Sequence, residues 1–192
     1  MLFGTEAFNY CINNLEFNSV LDIGCGTGEH SEAFKAAGKE VTSIDIAAHY
    51  KDAIATDIML YSPDEKFDLI WCSHVMEHQL NVNSFVKKCR SLANKYICIT
   101  VPPLKHEIVG GHVSLWNAGL VMYNLVLGGF DCSNARIKQY GYNISVIADA
   151  SSFLLANLRY DNGDIALISD KLPTGYNYQG FNGNIYELNW DK

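Results

Sequence analysis

The chain has 192 residues, of which 48% are hydrophobic, 18% are charged and 12% are aromatic. This length and composition predict one globular domain with a sizeable core and exclude a disordered chain. The formal net charge of −7 argues against a protein that binds long nucleic acids through their phosphates. No two of the six cysteines form a C-x-x-C pair, which argues against a zinc finger or a disulfide framework.

Targeting signals and membrane spans are not evident in the sequence. The first residues carry no basic segment followed by an apolar stretch, as a secretory signal would. The longest apolar run, residues 120–130, is interrupted by Asn124 and is too short to span a bilayer. We therefore expect a soluble, cytoplasmic protein with no membrane partner.

Short apolar runs alternate with helical patterns up to about residue 150. The runs are of strand length, and the segments between them repeat apolar residues at helical spacing. In chain order they predict helix 6–15, strand 19–23, helix 29–37, strands 40–45, 52–55 and 67–72, helix 82–92, strand 96–101, helix 115–127, and strands 130–139 and 142–148. This alternation predicts an α/β fold with a doubly wound, seven-stranded, mostly parallel sheet.

The composition changes beyond residue 150. Asparagine and glycine become frequent, and residues 160–190 carry six aromatic residues: Tyr160, Tyr176, Tyr178, Phe181, Tyr186 and Trp190. A disordered segment rarely keeps so many aromatic residues. We therefore expect a core domain at residues 1–150 and an aromatic-rich extension at residues 151–192 that packs on the core.

A glycine-rich turn follows the first predicted strand. Gly24, Gly26 and Gly28 stand at alternate positions between that strand and a helix. Because glycine lacks a Cβ, the chain can turn sharply there and a ligand can approach the backbone. Asp45 follows 17 residues after Gly28, at the end of the second strand. A carboxylate at this place can accept hydrogen bonds from both hydroxyls of a ribose, so the pattern predicts a ribose-containing cofactor.

Residues 15–150 resemble the class I S-adenosylmethionine-dependent methyltransferases, in the branch that modifies small molecules and glycans. In this resemblance Asp22 and the glycine turn match the family's first motif, and Asp45 matches its ribose-binding acid. Residues 67–78 match the segment that contains the fourth strand, and residues 111–116 match the segment before a late helix.

The resemblance implies a Rossmann-like sheet whose last strand is antiparallel, S-adenosylmethionine as the cofactor, and methyl transfer to a small molecule or sugar. Enzymes that methylate amino groups of bases or glutamine usually carry an acid or Asn followed by Pro-Pro-aromatic after the fourth strand. This chain has Cys-Ser-His-Val there, at residues 72–75, which favours oxygen as the acceptor atom. The resemblance places the cofactor against Asp22, Gly24, Cys25, Gly26, Gly28, Asp45, Ile46, Thr56, Asp57, Ile58 and Ser73.

The chain departs from the family pattern between the second and third strands. Only 12 residues separate Asp45 from Asp57, which is too few for the usual helix and a full strand. We therefore expect the adenine edge of the cofactor site to be thinly covered.

Four residues are candidates for the acceptor side: His74, Glu77, His78 and His112. They follow predicted strands at the edge where doubly wound sheets bind ligands. Their positions resemble the divalent-cation ligands of small-RNA 2′-O-methyltransferases, where the first histidine is a glutamate. A histidine in that place shifts the preferred ion from magnesium towards zinc, iron or manganese. Without a metal, His78, His112 or His74 could act as the general base.

Two other functions remain open at this stage. A dinucleotide-binding oxidoreductase would carry G-x-G-x-x-G, but here the third glycine comes one residue early. A non-catalytic protein that binds the cofactor and interacts through its aromatic extension is the second alternative.

Overall fold

The computed structural model describes residues 3–47, 49–176 and 180–190. The strands are β1 (Ser19–Ile23), β2 (Glu40–Asp45), β3 (Ile54–Ala55), β4 (Phe67–Ser73), β5 (Ala93–Val101), β6 (Asp131–Tyr140), β7 (Asn143–Asp149) and β8 (Glu187–Leu188). The helices are α1 (Thr5–Asn14), α2 (Glu29–Ala36), α3 (Val82–Leu92), α4 (Ala118–Leu127) and α5 (Asp164–Leu167), with short 3₁₀ turns at Met76–His78 and Ser169–Lys171.

All eight strands form one sheet in the order β3-β2-β1-β4-β5-β7-β6-β8. Strands β1 to β5 pair in parallel, whereas β7 pairs antiparallel with both β5 and β6. This confirms the predicted α/β fold, with a mostly parallel sheet that becomes antiparallel at one end. The order reverses at β1, so a crevice lies outside the carboxyl ends of β1 and β4.

The predicted number of seven strands is wrong by one. The eighth strand, β8, pairs antiparallel with β6 through Leu188 opposite Ile137 and Glu187 opposite Lys138. A strand of two residues is too short to produce an alternating pattern, so periodicity could not reveal it. It forms because the outer edge of β6 offers unpaired backbone groups to the returning chain.

Helices cover both faces of the sheet. In β4, Leu69 and Trp71 pack towards α1 and α2, while Ile70 and Cys72 pack on the opposite face with residues of α3 and α4. All four side chains are fully buried, which explains why this strand is a continuous apolar run rather than an alternating one. No helix in the described part of the chain carries an apolar stretch long enough to cross a membrane.

The segment after residue 150 contributes to both layers of the core. Ile168, Leu172 and Ile185 are buried with the α3 and α4 side, and Trp190 is buried against α1. Tyr178 lies outside the described residues. The division at residue 150 into a core domain and an extension stays a prediction.

Candidate functional site

The glycine turn joins β1 to α2 at the carboxyl edge of the sheet. Gly24, Gly26 and Gly28 have φ values of 69°, 54° and 85°, a region that side chains with a Cβ rarely adopt. A Cβ on Gly24 would lie 2.3 Å from the Val75 side chain, and one on Gly28 would lie 2.3 Å from the Tyr50 ring. The turn therefore needs glycine for its backbone conformation and, at two positions, for close packing.

Asp45 is held beside this turn by backbone groups. Its Oδ2 accepts a hydrogen bond from the Gly26 N–H at 2.9 Å, and its Oδ1 accepts one from the Ala47 N–H at 2.8 Å. Each carboxylate oxygen can accept a second bond, so both remain capable of receiving ribose hydroxyls. The carboxylate thus lies beside the glycine turn at the end of β2, where the sequence analysis expects a ribose-binding acid.

Asp22 lies buried beneath the turn at the end of β1. Its carboxylate accepts a 2.6 Å hydrogen bond from the Ser31 hydroxyl, which lies 2.7 Å from the Ser43 hydroxyl. Burial raises the pKa of Asp22 to about 6, although the bond from Ser31 lowers it, and the Asp45 charge adds to the increase. The sequence analysis missed both serines. Ser31 lies on the buried face of α2 near Phe34, and Ser43 lies next to the buried Ile44 in β2.

A cavity of about 350 Å³ runs along the carboxyl edge from the glycine turn towards the acceptor side. Its lining includes eight of the predicted site residues: Gly24, Asp45, Ile46, Thr56, Asp57, Ile58, His74 and His78. It also includes Ile23, Ile44, Val75 and Gln79, which the sequence analysis did not name. Five predicted cofactor residues lie outside this lining: Asp22, Cys25, Gly26, Gly28 and Ser73.

The edge of the cavity near Thr56 and Asp57 is thinly covered. The described residues between β2 and β3 contain no helix, and Ile46 is 80% exposed. Asp57 stabilises the following turn by accepting a 2.8 Å hydrogen bond from the Met59 N–H, and Ile58 is buried beneath it. The short connection therefore leaves this end of the cavity open.

Glu77 marks the acceptor side, in the 3₁₀ turn Met76–His78 that follows β4. Its side chain is fully buried, and neither carboxylate oxygen has a hydrogen bond among the described residues. Side-chain ligand atoms of Glu77, His78 and His112 lie within 4.8 Å of one another. A 2.9 Å hydrogen bond from the Val113 N–H to the Glu77 carbonyl joins the two segments that carry them.

His78 is oriented by the loop that carries His112. Its Nδ1 lies 2.8 Å from the Gly111 carbonyl oxygen, which can only accept, so Nδ1 carries the proton. In the neutral ring Nε2 then presents its lone pair, 3.9 Å from Glu77 Oε1. Two acceptor atoms at this distance can be bridged by a shared proton or by a metal cation. Two imidazoles and one carboxylate suit zinc, iron or manganese better than magnesium.

His74, the fourth predicted ligand, lies outside this group of three. Its Nδ1 is 3.3 Å from Glu77 Oε1, an ion-pair distance without good hydrogen-bond geometry, and its Nε2 is 3.0 Å from Asn143 Oδ1. Burial lowers the pKa of His74, but its contacts with Glu77 and Asn143 outweigh burial and hold the pKa above its usual value. His74 is therefore a neighbour of the cluster that contacts Glu77 and lines the cavity, whereas Glu77 is outside the cavity lining.

Two predicted cofactor residues have side chains that turn into the protein. Burial raises the pKa of the Cys25 thiol to about 11, so this thiol stays protonated at neutral pH. The Ser73 hydroxyl is buried and has no hydrogen bond among the described residues. It lies close to Gly4, where a Cβ would be 3.2 Å from Ser73 Oγ.

The sequence matches a family model described as a methyltransferase domain over residues 5–118, which is more than half of the chain. The ubiquinone biosynthesis O-methyltransferase of Glaesserella parasuis serovar 5 (strain SH0165) is 34% identical over 100 residues, which cover 42% of this chain and 42% of that protein. The protein of the same name from Rhodopseudomonas palustris (strain TIE-1) is 26% identical over 164 residues, covering 74% and 64%. The chain thus spans about half the length of the curated relatives it matches.

Solved structures share the fold at low sequence identity. A SAM-dependent methyltransferase from Archaeoglobus fulgidus superimposes with a TM-score of 0.65 at 19% identity, covering 76% of this chain and 90% of that one. The N-methyltransferase NodS from Bradyrhizobium japonicum WM9, in complex with S-adenosylhomocysteine, gives 0.60 at 16% identity, covering 76% and 84%. The family match and the fold together show that this chain belongs to the methyltransferase-domain family and has the fold of the S-adenosylmethionine-dependent class I methyltransferases.

Proposed function

We propose that this protein transfers a methyl group from S-adenosylmethionine to a hydroxyl oxygen of a small molecule, with Glu77, His78 and His112 as ligands of a divalent cation. The observation that carries the proposal is the cavity that connects Asp45 to His78. Asp45, beside the glycine turn, lines one part of the cavity and His78 lines another; Glu77 Oε1, outside the lining, is 3.9 Å from His78 Nε2.

The cofactor half of the proposal rests on the glycine turn and Asp45. We assign the ribose hydroxyls to the two Asp45 oxygens, which the Gly26 and Ala47 N–H groups hold in place. The adenine lies against Ile46 and residues 56–58, at the open end of the cavity. S-adenosylmethionine supplies an activated methyl group on a sulfonium centre. The protein supplies alignment, because most of the rate of such a displacement comes from holding the two reactants in line.

The acceptor half rests on the Glu77, His78 and His112 cluster. A divalent cation held there would supply positive charge that lowers the pKa of an acceptor hydroxyl. The Gly111 carbonyl holds His78 with Nε2 facing Glu77. Without a cation, the ring of His78 or His112 could accept the acceptor's proton directly, as a general base. The choice of oxygen is supported by the names of the curated relatives, which are O-methyltransferases.

The first experiment separates the three functions that the sequence leaves open. Isothermal titration calorimetry with S-adenosylhomocysteine and with NAD should show binding of S-adenosylhomocysteine alone. Tight binding of NAD would contradict the proposal in favour of an oxidoreductase, and binding of neither would favour a non-catalytic protein.

The second experiment identifies the acceptor and the role of the cation. Tritiated S-adenosylmethionine is incubated with a library of phenols, hydroxy acids, amines and sugars. We expect label on a hydroxylated small molecule, loss of labelling after dialysis against a chelator, and recovery when Mn²⁺ or Zn²⁺ is added. Label confined to amines would contradict the oxygen assignment, and label confined to sugars would identify a glycan acceptor. Full activity after chelation would contradict the cation and leave His78 and His112 as candidates for the general base.

A further inference from the structure

We propose that Asn143 is a positioning residue for the acceptor side: its side-chain oxygen orients His74 towards Glu77 and joins the N-terminal segment, Phe3 and Gly4, to the same site. The inference rests on the proposed function, because it concerns the geometry of the proposed Glu77 ligand. Asn143 is the first residue of β7 and is nearly buried. It is outside the cavity lining, so its effect is transmitted through His74.

Backbone groups fix the orientation of the Asn143 amide. Its Nδ2 donates to the Tyr140 carbonyl oxygen at 3.3 Å, and its Oδ1 accepts from the Gly4 N–H at 3.3 Å. A carbonyl can only accept and an N–H can only donate, so a flipped amide would lose both bonds. The atom that faces His74 Nε2 at 3.0 Å is therefore an acceptor, and His74 carries a proton on Nε2.

The backbone of His74 is held in an unfavourable conformation. Its φ is 57°, and it is one of only three non-glycine residues with positive φ among those described. Such a conformation costs a residue with a Cβ about 1–2 kcal/mol and persists only where surrounding contacts impose it. Here the His74 N–H donates to the Thr100 carbonyl oxygen of β5 at 2.8 Å, while Asn143 of β7 holds the side chain.

The position of Glu77 depends on this arrangement. With Nε2–H tied to Asn143 Oδ1, the His74 ring is held with Nδ1 3.3 Å from Glu77 Oε1, so the ring limits where the Glu77 carboxylate can lie. The Glu77 carboxylate has no hydrogen bond among the described residues that could orient it instead. Asn143 therefore positions His74, and His74 in turn positions Glu77.

The same amide oxygen connects the N-terminal segment to the site. Gly4 donates to Asn143 Oδ1, and the Phe3 ring lies 4.6 Å from the His74 ring. The Phe3 carbonyl oxygen lies 2.7 Å from His30 Nε2, on the helix that follows the glycine turn. The N-terminal segment thus contacts both the cofactor side and the acceptor side.

The test compares Asn143→Ala with Asn143→Asp and with a matched control, Ser145→Ala. Aspartate keeps an oxygen for His74 and Gly4, whereas alanine removes it. Ser145 is buried two residues further along β7, and its hydroxyl lies 2.8 Å from the side-chain hydroxyls of Thr100 and Tyr140. Among the described residues it has no side-chain hydrogen bond to His74 or Asn143, so its removal leaves the backbone bonds of Thr100 and Tyr140 to those two residues in place. Three measurements are made on each folded variant: ¹⁵N spectra of the histidine rings, Mn²⁺ affinity by calorimetry, and kcat with its KM for the acceptor.

We expect Asn143→Ala to lose the hydrogen-bonded Nε2–H signal of His74, which His74→Gln identifies in the wild-type spectrum. Mn²⁺ affinity should fall by about 10–100-fold, as is usual when the support of a metal ligand is removed, and kcat should fall with it. Affinity for S-adenosylhomocysteine should change by no more than about twofold. Asn143→Asp should restore the signal and most of the Mn²⁺ affinity, and Ser145→Ala should leave both unchanged.

An unchanged His74 signal in Asn143→Ala, or an equal loss of Mn²⁺ affinity in Ser145→Ala, would overturn the inference. Failure of the proposed function is a different result: wild-type protein would then bind no Mn²⁺ and methylate no acceptor. The ring-nitrogen spectra still decide whether Asn143 orients His74 in that case.

Discussion

The two sides of the cavity are built in different ways. On the cofactor side, the glycine turn, Asp45 and residues 56–58 come from one stretch of the chain and are placed by the ends of adjacent parallel strands. On the acceptor side, Glu77 and His78 meet His112 from another loop, with support from Asn143 on β7. The first side is defined by local backbone geometry, and the second by packing between distant segments. Because local geometry is shared by a fold, we propose that the acceptor side determines which molecule this protein methylates.

The largest effect that separates the two sides is expected from Glu77→Gln. This change keeps the size of the side chain but removes the buried charge that the proposed cation needs. Mn²⁺ affinity and turnover should fall by about 100-fold or more, a larger loss than is usual for a supporting residue. Affinity for S-adenosylhomocysteine should stay within about twofold. Calorimetry with each ligand and a single-turnover methylation assay measure these quantities.

Thermal stability provides the control for this variant. Without metal, Glu77 is a buried carboxylate with no hydrogen bond among the described residues, whose charge is offset only by His74 and His78 nearby, so its neutralisation should change the melting temperature little. A large drop in stability would show that Glu77 has a structural role. A fully active Glu77→Gln protein would remove the cation from the proposal and leave His78 and His112 as base candidates.

The second effect concerns Asp22 and the pH dependence of stability. The pKa of Asp22 is about 6 in the folded protein, against 3.8 for the ordinary side chain, chiefly because of burial. Between these two values the folded state binds the extra proton, so stability should fall as pH rises from about 4 to 6. At about 1.4 kcal/mol per pKa unit, the loss from Asp22 amounts to at most about 3 kcal/mol.

Asp22→Asn is the matched variant, because its side-chain oxygen can still accept the bond from Ser31. Urea unfolding at pH 4, 5, 6 and 7 should show a smaller loss of stability in this variant than in the wild type. Equal slopes in the two proteins would mean that Asp22 does not titrate in this range.

The third effect is expected from Asp45→Ala, which should weaken cofactor binding and leave Mn²⁺ binding unchanged, the opposite of Glu77→Gln. Asp45→Ala removes both oxygens that we assign to the ribose, and should weaken S-adenosylhomocysteine binding by about 30-fold, or about 2 kcal/mol. Mn²⁺ affinity should not change, because Asp45 is not in the cluster of metal ligands. Calorimetry with both ligands tests this directly. An unchanged affinity for S-adenosylhomocysteine would show that the ribose does not bind at Asp45.

The same contrast explains what the sequence could predict. The bounds of β1 and β2 were predicted to the residue; Gly24 follows the end of β1, and Gly38 precedes β2. The site at Asp45 followed from spacing alone. By contrast, the position of His74 depends on its left-handed backbone and on Asn143, which lies 69 residues away. The spacing of residues in a sequence does not reveal a contact of that kind. The sequence could therefore name four candidate ligands, but it could not show that His74 lies outside the group formed by the other three.

The smallest effect concerns Gly4, where the N-terminal segment meets the site. Its φ is 79°, and a Cβ would lie 3.2 Å from Ser73 Oγ and 3.3 Å from the Trp71 ring. Gly4→Ala should therefore lose about 1 kcal/mol of stability from backbone strain and should displace the segment that contacts His74. Turnover should fall a few-fold, while α1 remains anchored by its buried residues.

Gly38→Ala is the control that separates the effect of backbone strain from the effect of displacing the N-terminal segment. Gly38 has a φ of 78°, almost the same as Gly4, but a Cβ there would meet nothing within 4 Å. Both variants should lose a similar amount of stability in urea unfolding, because both place alanine in the left-handed region. Only Gly4→Ala should lower turnover, since only Gly4 donates to Asn143. Equal turnover in the two variants would show that the N-terminal segment does not influence the acceptor side. The distant residues that support the acceptor side would then include Asn143 and His74 but not Gly4.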